Sequence, residues 1–242
     1  MHDQQDIHCS AFPSDGIAVV IGSTGAIGHA LCSALENSNN FNEVVGLSRS
    51  STPSIDIKVE ADILRCAKFV KKKSRDVRLV ISATGFLHDE NYMPEKSWAD
   101  ITPDHLTQAF AVNTIGPALI MKHFLPLFPT RGKAVFVALS ARVGSIGDNS
   151  LGGWYSYRAS KAALNQLIKT GAAELKRKRR DAICIAIHPG TVDSTLSAPF
   201  QKTGLRVRQA EEAALDIFNV IQNLTPEHSG SFRDYSGSLL PW

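Results

Sequence analysis

Short apolar runs alternate along this chain with longer segments whose apolar residues recur every three or four positions. The short runs are rich in β-branched residues and bounded by glycine or polar residues, which is typical of strands buried on both faces of a parallel sheet. They occupy residues 17–22, 43–48, 77–84, 133–140 and 182–188. The helical patterns occupy about residues 27–37, 62–73, 103–125, 155–177 and 208–222.

This alternation predicts βαβ units with right-handed crossovers. The expected fold class is therefore α/β, a single-domain Rossmann fold with a doubly wound parallel sheet and helices on both faces. We expect one domain over residues 16–242 and a loosely ordered tail over residues 1–15. The region 48–62 is too short for a full crossover helix, and we expect a loop and a short strand there.

Composition narrows the class of partners. Of the 242 residues 43% are hydrophobic and 20% are charged, which is ordinary for a soluble globular protein. The net charge of +3 is too small to favour nucleic acid or a membrane as partner. The four cysteines are far apart, so neither a disulfide framework nor a metal site is expected. No secretory signal or membrane-spanning run is recognisable, and we predict a cytoplasmic protein.

A glycine-rich turn follows the first predicted strand. Gly22, Gly25 and Gly28 are spaced G-x-x-G-x-x-G and open the first helical segment. Glycine permits a tight turn there and lets a pyrophosphate approach the backbone at a helix N-terminus. We therefore predict dinucleotide contacts along the whole turn, at Gly22, Ser23, Thr24, Gly25, Ala26, Ile27 and Gly28.

The end of the second strand bears on which dinucleotide is bound. A site that selects NAD usually places a carboxylate there to bind the ribose hydroxyls. Here the strand ends in "GLSRSS", with Arg49 where the acid would stand. A guanidinium flanked by serines suits a 2′-phosphate, so the sequence favours NADP over NAD.

Tyr157 and Lys161 lie four residues apart in a segment that the apolar pattern predicts to be helical. Residues at positions i and i+4 share one face of a helix, so the phenol and the ammonium project together. A free phenol has a pKa of about 10, and a neighbouring cation is expected to lower it. The pair is thus a workable proton donor for a carbonyl oxygen that receives hydride.

From about residue 17 onward the chain resembles the short-chain dehydrogenase/reductase family. The glycine turn, "SATG" (82–85), "FAVNTIGP" (110–117), "YSYRASKAALN" and "HPGTVDST" (188–195) occur in the family's order. Within the family, the wording around Tyr157 and the ending "GSLLPW" are similar to the C-factor-like and sniffer-like carbonyl reductases.

The resemblance implies roles for individual residues. Tyr157 would be the general acid, Lys161 would also bind the nicotinamide ribose, and Asn113 would hold a relay water through its distortion of the helix. Further cofactor contacts would come from Asp62, Ile63, Ala83, Thr84, Gly85, Pro189, Gly190, Thr191 and Val192. Family members commonly pair through the third and fourth helical segments, which implies a homodimer or homotetramer.

Two departures from the family pattern qualify these expectations. The middle glycine stands at Gly25 rather than at Ala26, a spacing more typical of extended members with an added substrate domain. The family serine that holds the substrate carbonyl is usually the second of a pair, and here "VALSARVGSIG" has Ser140 first and Ala141 second. We favour Ser140 as the catalytic serine and keep Ser145 as the alternative.

Together these features predict an NADP(H)-dependent oxidoreductase that interconverts a small-molecule carbonyl and its alcohol, with segment 191–207 covering the substrate. His88 and Trp98 are weaker candidates for substrate contact. One competing hypothesis is a protein that senses NADP(H) with little or no turnover, suggested by Ala141. A second is an epimerase or dehydratase, suggested by the glycine spacing.

Overall fold

A single sheet of six parallel strands forms the centre of the protein. The computed structural model describes residues 12–13, 15–200 and 207–242. The strands are β1 (Ile17–Ile21), β2 (Glu43–Leu47), β3 (Val77–Ser82), β4 (Ala134–Leu139), β5 (Ala182–His188) and β6 (Phe232–Asp234). Their order across the sheet is β2-β1-β3-β4-β5-β6, and every neighbouring pair is parallel. The predicted fold class is confirmed. Only β6, which is three residues long, was not expected.

Six α-helices connect and flank the strands in the described part of the chain. They are α1 (Ala26–Asn37), α2 (Glu60–Lys71), α3 (Pro103–Phe110), α4 (Gly116–Phe124), α5 (Tyr155–Lys178) and α6 (Ala210–Gln222). The sequence pattern predicted one helix over 103–125. Instead, a π-helical turn, Ala111–Ile115, separates α3 from α4. A π-helical turn of this kind often marks a functional site.

Alternate residues of each strand bury their side chains on opposite faces of the sheet. In β1, Ile17, Val19 and Ile21 face a core that is closed by α2, α4 and α5. Ala18 and Val20 face a second core that is closed by α1 and α6. Because both faces are covered, the central strands β1 and β4 are continuously apolar, and so is β5 up to its last residue, as the sequence pattern indicated.

The expectation of a short strand in region 48–62 was wrong. The chain turns at Ser48, where the amides of Ser51 and Ile55 both donate to the Ser48 carbonyl oxygen. The Ser51 hydroxyl also accepts from the Ser48 amide at 2.9 Å. Because these turn contacts satisfy the backbone groups, no ladder extends beyond β2, and residues 48–59 contain no strand.

Part of the predicted tail can be placed. Phe12 is buried, and its ring centroid lies 4.9 Å from that of Phe41. Residues 1–11 and 14 lie outside the described residues.

The order of the strands locates a binding crevice. From β1 the chain passes to β2 on one side of the sheet and then returns to β3 on the other. Ligands of open parallel sheets bind outside the carboxyl ends of the strands at such a reversal.

Among the described helices, none is long and apolar enough to cross a membrane.

Candidate active site

The glycine turn lies at the carboxyl end of β1, at this reversal. Gly22 has a φ of +94°, which favours glycine, and its carbonyl oxygen accepts from the Gly25 amide at 3.1 Å. A Cβ on Gly28 would lie 2.1 Å from that same oxygen, so any side chain there would displace the turn. These two glycines explain the tight connection from β1 to α1.

The N-terminus of α1 fits the pyrophosphate of a dinucleotide. No side chain caps this helix and its first turn holds no acidic residue, while Thr24, Gly25 and Ala26 are exposed. A free helix N-terminus of this kind attracts an anion.

Unpartnered polar atoms line the same end of the sheet. Among the described residues, four buried side-chain atoms have no hydrogen-bond partner, and Ser82 Oγ, Thr84 Oγ1 and His188 Nδ1 are three of them. Ser82 ends β3 and His188 ends β5, so these atoms lie at the carboxyl ends of strands. Because orphaned buried polar groups are costly, these atoms favour a polar ligand in this crevice.

Arg49 follows β2 in the turn that replaces the expected strand. Its side chain is exposed, whereas Ser48 is buried and its hydroxyl lies 3.1 Å from that of Ser50. The position is consistent with the predicted contact to a 2′-phosphate, which stays a prediction.

Tyr157 and Lys161 share the buried face of α5, as the i, i+4 spacing predicted. The Lys161 Nζ lies 5.8 Å from the centre of the Tyr157 ring and donates to the Leu139 carbonyl oxygen at 2.8 Å. Leu139 ends β4, so this bond ties the lysine to the carboxyl edge of the sheet. A Cβ on Gly85 would lie 3.9 Å from Nζ, which brings the "SATG" segment to the pair.

Burial dominates the electrostatics of the pair. It lowers the pKa of the Lys161 ammonium to about 8. It also raises the pKa of the Tyr157 phenol above its ordinary value. The expectation that Lys161 would lower the tyrosine pKa is therefore not met in this structure, because desolvation disfavours the phenolate. Burial thus favours the protonated form of the phenol.

Asn113 lies in the π-helical turn and is fully buried. Its amide group accepts from the Phe86 amide and donates to the Phe86 carbonyl oxygen, each at 2.8 Å, and it donates to Ser160 Oγ at 3.0 Å. Ser160 in turn donates to the Tyr157 carbonyl oxygen at 2.8 Å. Asn113 thus joins the loop after β3 to the helix that carries the tyrosine. Its role in a water relay stays a prediction.

Each of the two candidate serine hydroxyls has a hydrogen-bond partner other than the tyrosine. Ser140 Oγ donates to Asn165 Oδ1 at 2.7 Å, and Ser145 Oγ accepts from the Asp148 amide at 3.1 Å. Ala141 instead packs in one small cluster with Tyr157. Ala141 thus places a methyl group in the apolar surroundings of Tyr157. The capture of Ser140 by Asn165 was not expected, because no sequence signal pairs the two residues.

An apolar wall surrounds the phenol. Its members are buried or half-buried side chains from four segments of the chain: Leu87, Ala141, Val143, Trp154, Leu196 and Phe200. The Trp154 ring lies 6.2 Å from that of Tyr157 and 5.1 Å from that of Phe200. His88 joins the rim, with its ring 5.3 Å from Phe200, whereas Trp98 is 78% exposed. Residues 201–206 of the expected covering segment lie outside the described residues.

The other predicted cofactor residues occupy two places. Asp62 lies in the first turn of α2, where it accepts from the Asp56 amide at 3.1 Å and pairs with Arg65 at 2.8 Å, and the neighbouring Ile63 is fully buried in the core. Residues 189–192 follow β5, and Arg208 pairs with Val192 in an isolated parallel bridge.

In the described part of the chain no group of His, Cys, Asp and Glu is arranged to hold a metal ion.

A parallel sheet with a glycine turn at its reversal and a Tyr–Lys pair on an adjoining helix defines the class of dinucleotide-binding oxidoreductases. The chain belongs to the short-chain dehydrogenase/reductase family within it, because a family model described as enoyl-(acyl carrier protein) reductase matches residues 15–227.

Curated relatives agree with this assignment. The chain is 30% identical over 143 residues to the C-signal protein of Myxococcus xanthus. The aligned region covers 59% of this chain and 82% of the relative. It is 30% identical over 191 residues to 1-hydroxy-2-glutathionyl-2-methyl-3-butene dehydrogenase of Rhodococcus sp. strain AD45, covering 78% of this chain and 79% of the relative.

Solved structures share the fold over nearly the whole chain. An NADPH-bound carbonyl reductase from chicken fatty liver superposes with a TM-score of 0.82 at 23% identity, covering 94% of this chain and 98% of that one. The carbonyl reductase Sniffer of D. melanogaster superposes with a TM-score of 0.80 at 22% identity, covering 94% and 99%.

The buried lysine should make stability depend on pH. Its pKa is about 8 in the folded protein and 10.5 as an ordinary side chain, so between these values the unfolded chain binds more protons. The contribution of Lys161 to the free energy of unfolding should therefore rise from pH 8 towards pH 10, by on the order of 2 kcal/mol. The raised pKa values of Cys32, Cys184 and Tyr157 act in the opposite direction from about pH 9 upward, because these groups lose their protons first in the unfolded chain.

Urea melts at steps between pH 7 and pH 10 measure this dependence. The difference in stability between the wild type and Lys161→Met should grow over this range, whereas Tyr157→Phe should follow the wild type up to about pH 10. Parallel curves for the wild type and Lys161→Met would show that the lysine is not the source.

Proposed function

We propose that the protein is an NADP(H)-dependent reductase that converts the carbonyl group of an apolar or aromatic compound to an alcohol, or runs the reverse reaction. The observation that carries this proposal is the placement of Tyr157 and Lys161. Both side chains are buried on one face of α5, beside the dinucleotide crevice at the carboxyl ends of β1 and β3. A buried, protonated phenol next to an ammonium suits proton transfer to a carbonyl oxygen.

The chain's own residues would divide the work. The glycine turn and the N-terminus of α1 would hold the pyrophosphate, while Thr84, Gly85 and residues 189–192 would orient the rest of the cofactor. The bound nicotinamide supplies the hydride. Tyr157 would donate the proton to the substrate oxygen, and Lys161 would stabilise the phenolate that this donation leaves.

The apolar wall supports a hydrophobic substrate. The phenol lies next to Leu87, Ala141 and the Trp154 ring, so the body of the substrate would pack against apolar surface while its carbonyl meets the hydroxyl. A site of this composition binds ligands mainly through burial, with a few polar groups to set orientation.

Two lines support NADP as the cofactor. Arg49 stands at the end of β2, where a carboxylate would favour NAD. The chicken carbonyl reductase and a putative short-chain dehydrogenase/reductase from Burkholderia multivorans, which share this fold, hold NADPH and NADP. Localisation in the cytoplasm and assembly as a homodimer or homotetramer are part of the same proposal.

Ala141 favours a second candidate function. A methyl group stands where the family serine would hold the substrate carbonyl, and Ser140 is bound to Asn165. The absence of an oriented donor can cost about 3 kcal/mol of transition-state stabilisation. A protein that binds NADP(H) and signals its level, with slow turnover, is consistent with this feature.

Replacing the phenol tests the principal proposal. Tyr157→Phe should lower kcat for NADPH-dependent reduction of aromatic aldehydes, ketones and quinones by about 10²-fold or more, because the proton donor is removed. NADPH binding, followed by nucleotide fluorescence, should stay within twofold of the wild type. Tyr155→Phe is the matched control, since it removes a neighbouring hydroxyl and should retain activity. Turnover in the wild type that survives Tyr157→Phe unchanged would refute the mechanism, and binding without any turnover would favour the sensor.

Arg49 should set the choice of dinucleotide. Arg49→Asp should weaken NADPH binding at least about tenfold, because a carboxylate repels the 2′-phosphate, and should improve NADH binding. Dissociation constants for both nucleotides measure the switch. Arg75→Asp, at the opposite end of the sheet, makes the same charge change and should alter neither constant. Equal affinities in the wild type and Arg49→Asp would contradict the proposed contact.

Restoring a hydroxyl beside the phenol should raise activity. Ala141→Ser adds one oriented donor where the methyl group packs against Tyr157, and kcat/KM should rise by about tenfold or more. The added hydroxyl should leave NADPH affinity unchanged. Ser140→Ala is the companion variant, because loss of its activity would mean that the Ser140 hydroxyl leaves Asn165 to meet the substrate. If Ala141→Ser lowers activity while Ser140→Ala also lowers it, Ser140 is the catalytic serine.

A further inference from the structure

Glu95 is a buried acidic residue in the loop between β3 and α3. It is 2% exposed, although the loop around it is largely at the surface. Acidic side chains are rarely buried to this degree unless several donors satisfy them. The sequence analysis did not single it out, since no motif marks a glutamate that acts on a distant segment.

The carboxylate of Glu95 caps the helix that carries Tyr157. Trp154, the residue before α5, has a φ of +55° and provides no side-chain cap. The Ser156 amide instead donates to both carboxylate oxygens of Glu95, at 3.2 Å each, and the Ser156 hydroxyl also donates to Oε1. The Trp154 amide donates to the Glu95 backbone carbonyl oxygen at 2.6 Å. A negative side chain at a helix N-terminus is favourable, and here it comes from another segment.

A second helix holds the glutamate from the other side. His105 in α3 is buried, and its Nδ1 lies 3.1 Å from Glu95 Oε1. The ring of Tyr92 stacks on the imidazole at 5.0 Å, and the ring of Phe86 meets it edge-on at 6.1 Å. These contacts leave the imidazole little freedom, so the carboxylate is fixed by α3 as well as by α5.

The backbone before α5 also approaches Glu95 closely. A Cβ on Gly153 would lie 3.4 Å from the Glu95 carbonyl oxygen, and Gly153 has a φ of +66°. Glycine is therefore suited to this position by its backbone conformation. The segment enters α5 along a path that the Glu95 backbone defines.

These contacts act next to the proton donor. Ser156 precedes Tyr157, and Trp154 contributes its ring to the apolar wall beside the phenol. One turn further along α5, Lys161 is tied to Leu139 at the sheet edge. The phenol thus projects from a stretch of helix that Glu95 holds at its start and Lys161 holds beyond it.

We propose that Glu95 is a positioning residue that acts through Tyr157: it fixes the first turn of α5 and so sets where the phenolic hydroxyl meets the substrate. The structural half of this proposal stands on the contacts alone. The catalytic half rests on the proposed reductase function, and the two are tested separately.

Hydrogen exchange tests the structural half without turnover. In Glu95→Gln one carboxylate oxygen becomes an NH₂ group that cannot accept, and in Glu95→Ala both oxygens are lost. Exchange at residues 154–158 should accelerate in the order wild type, Glu95→Gln, Glu95→Ala, with the rest of α5 unchanged. Asp181→Asn is the matched control. Asp181 accepts from the Gly132 amide at 2.7 Å, just before β5 at the opposite end of the sheet. Unchanged exchange at 154–158 in Glu95→Ala would overturn the proposal.

Steady-state kinetics test the catalytic half. Glu95→Gln should lower kcat about tenfold and Glu95→Ala about 10²-fold, because small misplacements of a catalytic group cost this much. The KM for NADPH should stay within twofold, and Asp181→Asn should keep the wild-type kcat. In a Tyr157→Phe background Glu95→Gln should have no further effect, since the group it positions is gone. An equal loss in both backgrounds would show that Glu95 does not act through the phenol.

The two failures are distinguishable. If the wild type turns over no carbonyl substrate, the reductase proposal fails and hydrogen exchange still reports on the Glu95 contacts. If the wild type is active and faster exchange at 154–158 leaves kcat unchanged, the positioning role is refuted while the reductase proposal stands.

Discussion

The structure depends on keeping a phenol and an ammonium out of water on one face of α5. Tyr157 is 9% exposed and Lys161 is 2% exposed, and each is displaced from its ordinary pKa by burial in the direction of its neutral form. Such a pair is costly to fold unless its polar atoms find partners. The Leu139 carbonyl oxygen provides one for the lysine at the end of β4. The site is therefore built directly on the sheet edge. The positions of Tyr157 and Lys161 depend on how α5 packs against that edge.

Close backbone approaches make this packing possible. A Cβ on Gly144 would lie 2.7 Å from the Lys161 Cβ, so the loop after β4 can lie against α5 only with glycine there. Gly28 has the same function between α1 and the turn after β1, where an added Cβ would meet the Gly22 carbonyl oxygen. Asn113 and Glu95 then fasten α5 to the loop after β3, at Ser160 and Ser156. The tyrosine lies between these last two attachments.

Much of this arrangement, but not all of it, could be predicted from local patterns in the sequence. Strands buried on both faces show as continuous apolar runs, and the i, i+4 spacing of Tyr157 and Lys161 correctly places both on the buried face of α5. What the sequence could not show are contacts between distant segments, such as Ser140 with Asn165 or Glu95 with Ser156, because no periodicity links them. The expected strand near residues 48–62 failed for a similar reason, since the serine contacts of that turn compete with a ladder. The pKa direction of Tyr157 was missed because the extent of burial is a property of the whole fold.

Ala141, which stands where the family usually has a serine, bears on the chemistry that the site could perform. At position 141 the apolar wall around Tyr157 holds a methyl group, which cannot donate a hydrogen bond to a carbonyl oxygen. A proton donor is effective only where it closely meets the reacting atom, so the position of the phenol matters. The contacts at the start of α5 are buried, and they restrict where this phenol can lie. Under the proposed reductase function, the apolar body of a substrate would supply most of its binding free energy, because the wall that it would contact is itself apolar.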